Sequence, residues 1–213
     1  MSKSSYALKL MTLAVTTVAS LLPIQATKAD ATFSEVNMVQ TDVIAVSQTL
    51  PPLFGIPRFN LLVIEQIPGR NTCWQEVGEN PTNVNLLLSN FDFTGHCRRA
   101  TDANGYSIRY NGQDYGQSYI LNLVESNGVL NLIGFNPNTN TRINIGTTTG
   151  MNGQPMKINL NPGWQLTKRA YQGKVLGHFY FSYQEPATTQ NNTLPENNTL
   201  PDGNVRDIVA PSN

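Results

Sequence analysis

Between Tyr106 and Tyr183 apolar and polar residues alternate with a period of two, in short runs separated by turn-forming residues. YSIRY (106–110), QSYILNLVES (117–126), VLNLIGF (129–135), RINIG (142–146), MKINL (156–160), WQLTKRAY (164–171) and KVLGHFYFSY (174–183) are divided by Asn-Gly, Ser-Asn-Gly, Asn-Pro-Asn, Asn-Gly, Asn-Pro-Gly and Gln-Gly. Such alternation puts successive side chains on opposite faces of a strand, and short strands at this spacing predict a mainly β chain: a single antiparallel β-sandwich or barrel-like domain. FNLLVIEQI (59–67) is apolar along most of its length and suits a central strand, with VIAVSQT (43–49) as its neighbour. One short helix is predicted, PTNVNLLLSN at 81–90, with Asn80 as its cap and Pro81 in its first turn.

Strand parity assigns faces. In the last run Val175, Phe179, Phe181 and Tyr183 fall on one side with Gly177 between them, while Leu176, His178, Tyr180 and Ser182 fall on the other. The first set is the expected core. In YSIRY, Ile108 sides with Tyr106 and Tyr110, leaving Ser107 and Arg109 opposite. Arg109, His178 and Tyr180 are therefore candidate outward-facing ligand-binding residues: a guanidinium, an imidazole and an amphipathic ring of the kind that holds sugars or acidic groups. Trp164, beside the Asn-Pro-Gly turn, is the candidate stacking residue. An ordinary solvated sheet face has the same pattern.

The ends of the chain differ in kind from this middle. Lys3 and Lys9 precede LMTLAVTTVASLL (10–22), an apolar run too short to span a bilayer, and small residues follow at Ala29 and Ala31. That order predicts a secretory signal peptide over residues 1–31, cut after Ala31 or Ala29, with a retained membrane anchor as the alternative. No cysteine stands near the cut to accept a lipid. No second stretch of membrane-spanning length follows it. At the other end residues 184–213 lack aromatic residues and repeat NNTLPE as NNTLPD, a composition that buries too little apolar surface to offset chain entropy. A disordered Asn/Thr/Pro-rich tail is expected there. Asn191 and Asn197 in it stand in formal glycosylation acceptors, and the LPEN and LPDG pieces lack the Thr-Gly of a sortase signal.

Charge narrows the partners. Removing residues 1–31 takes Lys3, Lys9, Lys28 and Asp30 from 14 basic and 14 acidic residues, leaving a net charge of about −2. The tail holds four acidic residues and one basic one, more than the whole deficit, so the β-rich domain, 32–183, is near +1 and lacks the strongly basic face that phosphate-backbone binding requires. Nucleic acid is excluded as the expected partner, and an envelope glycan or surface protein is favoured.

The chemistry-bearing residues are sparse. Two cysteines in an exported chain predict a Cys73–Cys97 disulfide closing a loop of about 25 residues. His96 beside Cys97 supplies neither a Cys-x-x-Cys pair nor the spacing of a zinc site, and no metal or other cofactor is expected. No catalytic residue is assigned. The chain has no Gly-x-Ser-x-Gly elbow, and Cys97 as a nucleophile would leave Cys73 unpaired. Asp92, Asp102 and Asp114 are the carboxylates that would have to converge for hydrolytic chemistry. Asp102-Ala-Asn-Gly opens like a calcium loop but lacks its later ligands, so Asn104-Gly105 reads as a turn needing positive φ.

Several of these segments together have a known likeness. FSEV (33–36), LLVIEQ (61–66), CW (73–74), FDFTGHCRR (91–99), DANGYSIRYNGQD (102–114), KINLNPGW (157–164) and RAYQGKVLGHFY (169–180) resemble, in order and spacing, the cyanobacterial secreted proteins grouped as domain of unknown function 3747. The resemblance covers residues 33–183. It implies an exported cyanobacterial protein at the periplasm, cell surface or outside the cell, and it carries no catalytic assignment. Two functions remain: a non-enzymatic binding or structural domain of the envelope, or an extracytoplasmic hydrolase using Asp92, Asp102 and Asp114.

Overall fold

The computed structural model describes residues 32–116 and 118–185. The predicted signal peptide and almost all of the predicted tail lie outside them. Fifteen strands occupy the described residues, with two single-turn 3-10 helices, η1 (Gln40–Asp42) and η2 (Leu87–Ser89), and no α-helix. No helix among these residues is long and apolar enough to cross a membrane.

Three sheets form the domain. The first has five strands in the order β1 (Ser34–Asn37), β14 (Trp164–Tyr171), β15 (Lys174–Tyr183), β7 (Tyr106–Tyr110), β8 (Gln113–Asp114). The second has four: β13 (Asn159–Leu160), β11 (Thr141–Thr147), β10 (Val129–Asn136), β9 (Ile120–Ser126). The third has six: β4 (Trp74–Val77), β5 (Asn83–Leu86), β12 (Met156–Lys157), β2 (Val43–Leu53), β3 (Ile56–Gln66), β6 (Cys97–Ala100). All the described pairings are antiparallel except β15 with β7, which run parallel with Phe181 opposite Ile108.

Turn chemistry explains why the runs stop where they do. The β7–β8, β9–β10 and β14–β15 hairpins turn on Asn111-Gly112, Asn127-Gly128 and Gln172-Gly173, each pair at positive φ as a two-residue type I′ turn demands. Asn104-Gly105 differs from the expectation: Gly105 is absent from the positive-φ positions, and what requires glycine is crowding, since a Cβ there would lie 2.5 Å from that of Ala100.

The predicted helix at 81–90 does not form. Its first half is β5, paired with β4 and β12 and anchored by Val84 N–H to Pro155 O at 2.8 Å. Only Leu87–Ser89 makes a helical turn, with Leu87 and Leu88 both donating to Cys73 O. Sheet pairing satisfies the backbone and buries Val84 and Leu88, which overrides the local helical preference.

One core joins all three sheets: Ala45 and Val63 from the third, Ile108, Phe179 and Phe181 from the first, Leu132 and Ile145 from the second. The alternate residues of β2 and β3, Ile44, Val46, Leu62 and Ile64, pack on the opposite face against Cys73, Cys97, Val84 and Leu88. The central hairpin is thus apolar on both sides because both sides are covered. Cys73 and Cys97 are disulfide-bonded, Cα to Cα 5.9 Å.

Candidate functional site

Strand parity brings the polar residues of the first sheet to its outer face. Phe179 and Phe181 point into the core, so His178, Tyr180 and Ser182 point out; cross-strand register adds Ser107 and Arg109 from β7, Thr167 and Arg169 from β14, Glu35 from β1 and Asp114 from β8. The predicted faces hold for Arg109, His178 and Tyr180. Their expected exposure fails for Arg109 and Tyr180, while His178 is half-buried. Tyr180 is 0% exposed and Arg109 7%, because long side chains on this face fold over one another instead of extending into water. Val175, placed with the core by parity, is half exposed where β15 begins.

Tyr180 is the centre of the layer. The Arg109 and Arg169 guanidinium carbons lie 5.2 and 4.9 Å from its ring centroid, and the His178 ring meets it edge-on at 5.4 Å. Its hydroxyl donates to Asp114 Oδ2 at 2.8 Å and accepts from Arg169 Nε at 2.6 Å. Arg169 closes the triangle with Nη2 2.6 Å from the same carboxylate oxygen. Asp114 Oδ1 accepts the Gly116 N–H at 2.9 Å. Burial opposes ionisation of Asp114, but the Gly116 N–H, the Tyr180 hydroxyl and the Arg169 charge outweigh it and hold the carboxyl below its ordinary range. Burial and the neighbouring Asp114 carboxylate push the Tyr180 phenol up.

Ser107 links this triangle to His178. Its Oγ lies 2.8 Å from His178 Nε2 and 3.3 Å from Asp114 Oδ1, and His178 Nδ1 lies 2.9 Å from Asn104 O. A carbonyl only accepts, so Nδ1 carries a proton and, in the neutral ring, Nε2 accepts from the serine hydroxyl. Burial holds the His178 pKa below its usual value despite the hydrogen bond to Asn104, which keeps the ring neutral near pH 7. Protonation would reverse the chain, with Nε2–H donating to Ser107 and the hydroxyl turning to Asp114.

Glu35 anchors the other half of the face. Its Oε2 accepts from Ser182 Oγ at 2.7 Å and Thr167 Oγ1 at 3.0 Å, while Oε1 accepts from Gln184 Nε2 at 3.0 Å. Arg109 Nε is 3.7 Å from Glu35 Oε2, an ion pair without a hydrogen bond to that buried nitrogen. Phe33 covers the edge, 4.6 Å from the Arg169 guanidinium. Two carboxylates and two guanidiniums therefore balance within one layer.

Trp164 is not an accessible stacking residue. It is 9% exposed, part of the core and 5.4 Å from the Tyr183 ring. Gly163 passes so close that a Cβ there would meet Tyr183 at 2.5 Å. Two residues of the predicted tail are described: Gln184 holds Glu35, and Glu185 accepts from the Tyr110 hydroxyl at 2.7 Å while its N–H donates to Asn111.

Asp92, Asp102 and Asp114 each accept the N–H two residues ahead, from Thr94, Asn104 and Gly116. All three are local turn-formers of the Asx type. Among the described residues no three His, Cys, Asp or Glu gather in a way that would hold a metal ion. His96 is likewise a scaffold residue: its Nδ1 accepts the Asn71 N–H at 3.0 Å and its ring meets Phe91 edge-on, tying the loop before Cys73 to the one before Cys97.

A further buried ion pair escaped the sequence reading. Lys168, on the core side of β14, places Nζ 2.8 Å from Glu65 Oε2 and 3.4 Å from the Phe179 centroid, while Arg98 holds Glu65 Oε1 at 2.9 Å. Burial lowers the Lys168 pKa, with Glu65 opposing it. The signal for Arg169, Glu35 and Ser107 was present in strand parity; that for Lys168 was not, since a lysine at a core position reads as an error of register.

The family described as "Protein of unknown function (DUF3747)" matches residues 9–186. The chain belongs to this family. Its match takes in every described element, including the two halves of the outer layer contributed by β1 and by β14–β15. Neither the curated proteins nor the solved structures compared with the chain contain a match.

Proposed function

We propose that this family member is an exported protein of cyanobacterial type that serves as a non-enzymatic binding or structural domain at the periplasm, cell surface or outside the cell. The observation that carries the reading is the buried Cys73–Cys97 bond, which suits an oxidising compartment and agrees with the signal-like pattern of residues 1–31. The closed polar layer supports the second half. Its charges and hydroxyls bond to one another, an arrangement that rigidifies a sheet and leaves few groups free for substrate.

A hydrolase reading has one observation in its favour: Ser107 and His178 stand at nucleophile–base distance, and Asn104 O orients the ring. Enclosure weighs against it. Ser107 is buried, and Gly116 lies over it so closely that a Cβ there would be 2.9 Å from the serine Cβ. A fluorophosphonate adduct at Ser107 would reverse the preference.

The test is the state of the protein recovered from its host. Mass analysis is expected to show a chain beginning near Asp30 or Thr32, with Cys73 and Cys97 resistant to alkylation until reduced. A full-length chain with two reactive thiols overturns the reading.

A further inference from the structure

The β2–β3 hairpin extends beyond the body of the domain. Val43–Ser47 and Leu61–Ile64 are buried at its base, whereas Leu53, Phe54 and Ile56 at its end are 50%, 93% and 46% exposed. The turn is Phe54-Gly55, with φ of 50° and 77°. Left-handed backbone is costly for a bulky residue, and the comparable turns of this chain use Asn or Gln at that position. Phe54 gains no packing in return. A strained aromatic residue held in water is unexplained by the stability of the fold and points to something outside it.

The chemistry of the surrounding residues selects the partner. Arg58 is the one charged residue between Asp42 and Glu65. Pro51, Pro52 and Pro57 flank the turn and offer no N–H, so the end of the hairpin presents few donors that an apolar medium would leave unpaired. The same prolines block strand addition along its edges. Arg58 Nε donates to Pro51 O at 3.2 Å, which covers one of the carbonyls and holds the cation just behind the apolar end. Apolar side chains in front, few free donors and a basic group at the rim match the boundary between acyl chains and anionic headgroups.

We infer that the β2–β3 hairpin is a lipid-docking element, with Leu53, Phe54 and Ile56 entering the acyl boundary of an anionic membrane surface and Arg58 contacting its headgroups. This goes beyond the export and non-enzymatic reading and does not require it, since binding is measured on vesicles.

The full chain is tested on vesicles of phosphatidylcholine with equimolar phosphatidylglycerol and on phosphatidylcholine alone. Because residues 10–22 are themselves apolar, the readout must be local to the hairpin. The indole introduced by Phe54→Trp is expected to be quenched by brominated acyl chains, well beyond the quenching of Trp74 and Trp164 in the parent. Phe54→Asn, which suits the left-handed turn, is expected to weaken vesicle binding about tenfold at unchanged fold. Arg58→Gln should reduce the preference for the anionic vesicles. No added quenching in Phe54→Trp overturns the proposal, because that readout is local to the hairpin. Self-association in the absence of lipid that disappears in Phe54→Asn overturns it in favour of a second copy of the chain.

Discussion

On the outer face of the five-stranded sheet Tyr180 and Arg109 are shut away from water against the partly exposed carboxylates of Glu35 and Asp114, whereas at the end of the β2–β3 hairpin Leu53, Phe54 and Ile56 face it. Both places invert the usual distribution, and the difference lies in how the inversion is compensated. The polar groups of this layer have one another: Asp114 alone receives hydrogen bonds from Tyr180, Arg169 and Gly116. The exposed apolar groups have no such internal return, and Phe54 adds a left-handed backbone to its exposure. Compensated inversion is a stability device, while uncompensated inversion marks a contact made elsewhere.

The largest expected effect serves as a reference for both places. The Cys73–Cys97 bond, with a sequence separation of 24, constrains loops on the side of β2–β3 away from the main core. Reduction should lower unfolding free energy by roughly 3.5 kcal/mol in denaturant titration, without altering vesicle binding or the pH profile. Next comes the polar layer. Asp114→Ala leaves Arg169 and the Tyr180 hydroxyl without their shared acceptor and should cost about 2–3 kcal/mol. A double-mutant cycle with Arg169→Met should show strong non-additivity; a loss below about 0.5 kcal/mol would mean an ordinary surface ion pair.

The pH dependence is a smaller test of the same layer. His178 has a folded pKa below that of the unfolded chain, so the unfolded state takes up the proton first as pH falls through about 6.5, and stability declines from there until the folded ring also titrates. His178→Gln should flatten that part of the curve. Asp114 adds a separate loss on acidification below about 3.8, where its depressed carboxyl is protonated first in the unfolded chain. The smallest effect belongs to the hairpin. Phe54→Asn should leave stability unchanged or raise it by about 1 kcal/mol or less in thermal unfolding, the opposite sign from every substitution in the polar layer.

Alternation in sequence was enough to place β7, β14 and β15 at their observed limits and to pair β2 with β3 through their apolar halves. It assigned Arg109, His178 and Tyr180 to the correct face but not to the correct environment, because burial on that face arises from side chains on β1 and β8 that meet only after folding. Residues 50–58 carry no strand signal: three prolines conceal a hairpin whose remaining pairings, Leu50 with Arg58 and Leu53 with Ile56, need no donor from them. Val84 was misread because its strand partners, Glu76 on one side and the segment around Met156 on the other, include one more than seventy positions away. The carboxylates misled in the opposite sense, as Asp92 and Asp102 serve turns of their own.

The pairing of β1 with β14 sets the order of events when the chain folds. Glu35 finds its partners at Thr167, Ser182 and Gln184, the last 149 positions away, so the first strand has no sheet to join until the final two have been delivered. A contact map closed by its own ends carries a high loop-closure entropy and makes for slow folding. The outer layer of the five-stranded sheet therefore cannot close around Glu35 until β14 and β15 are in place.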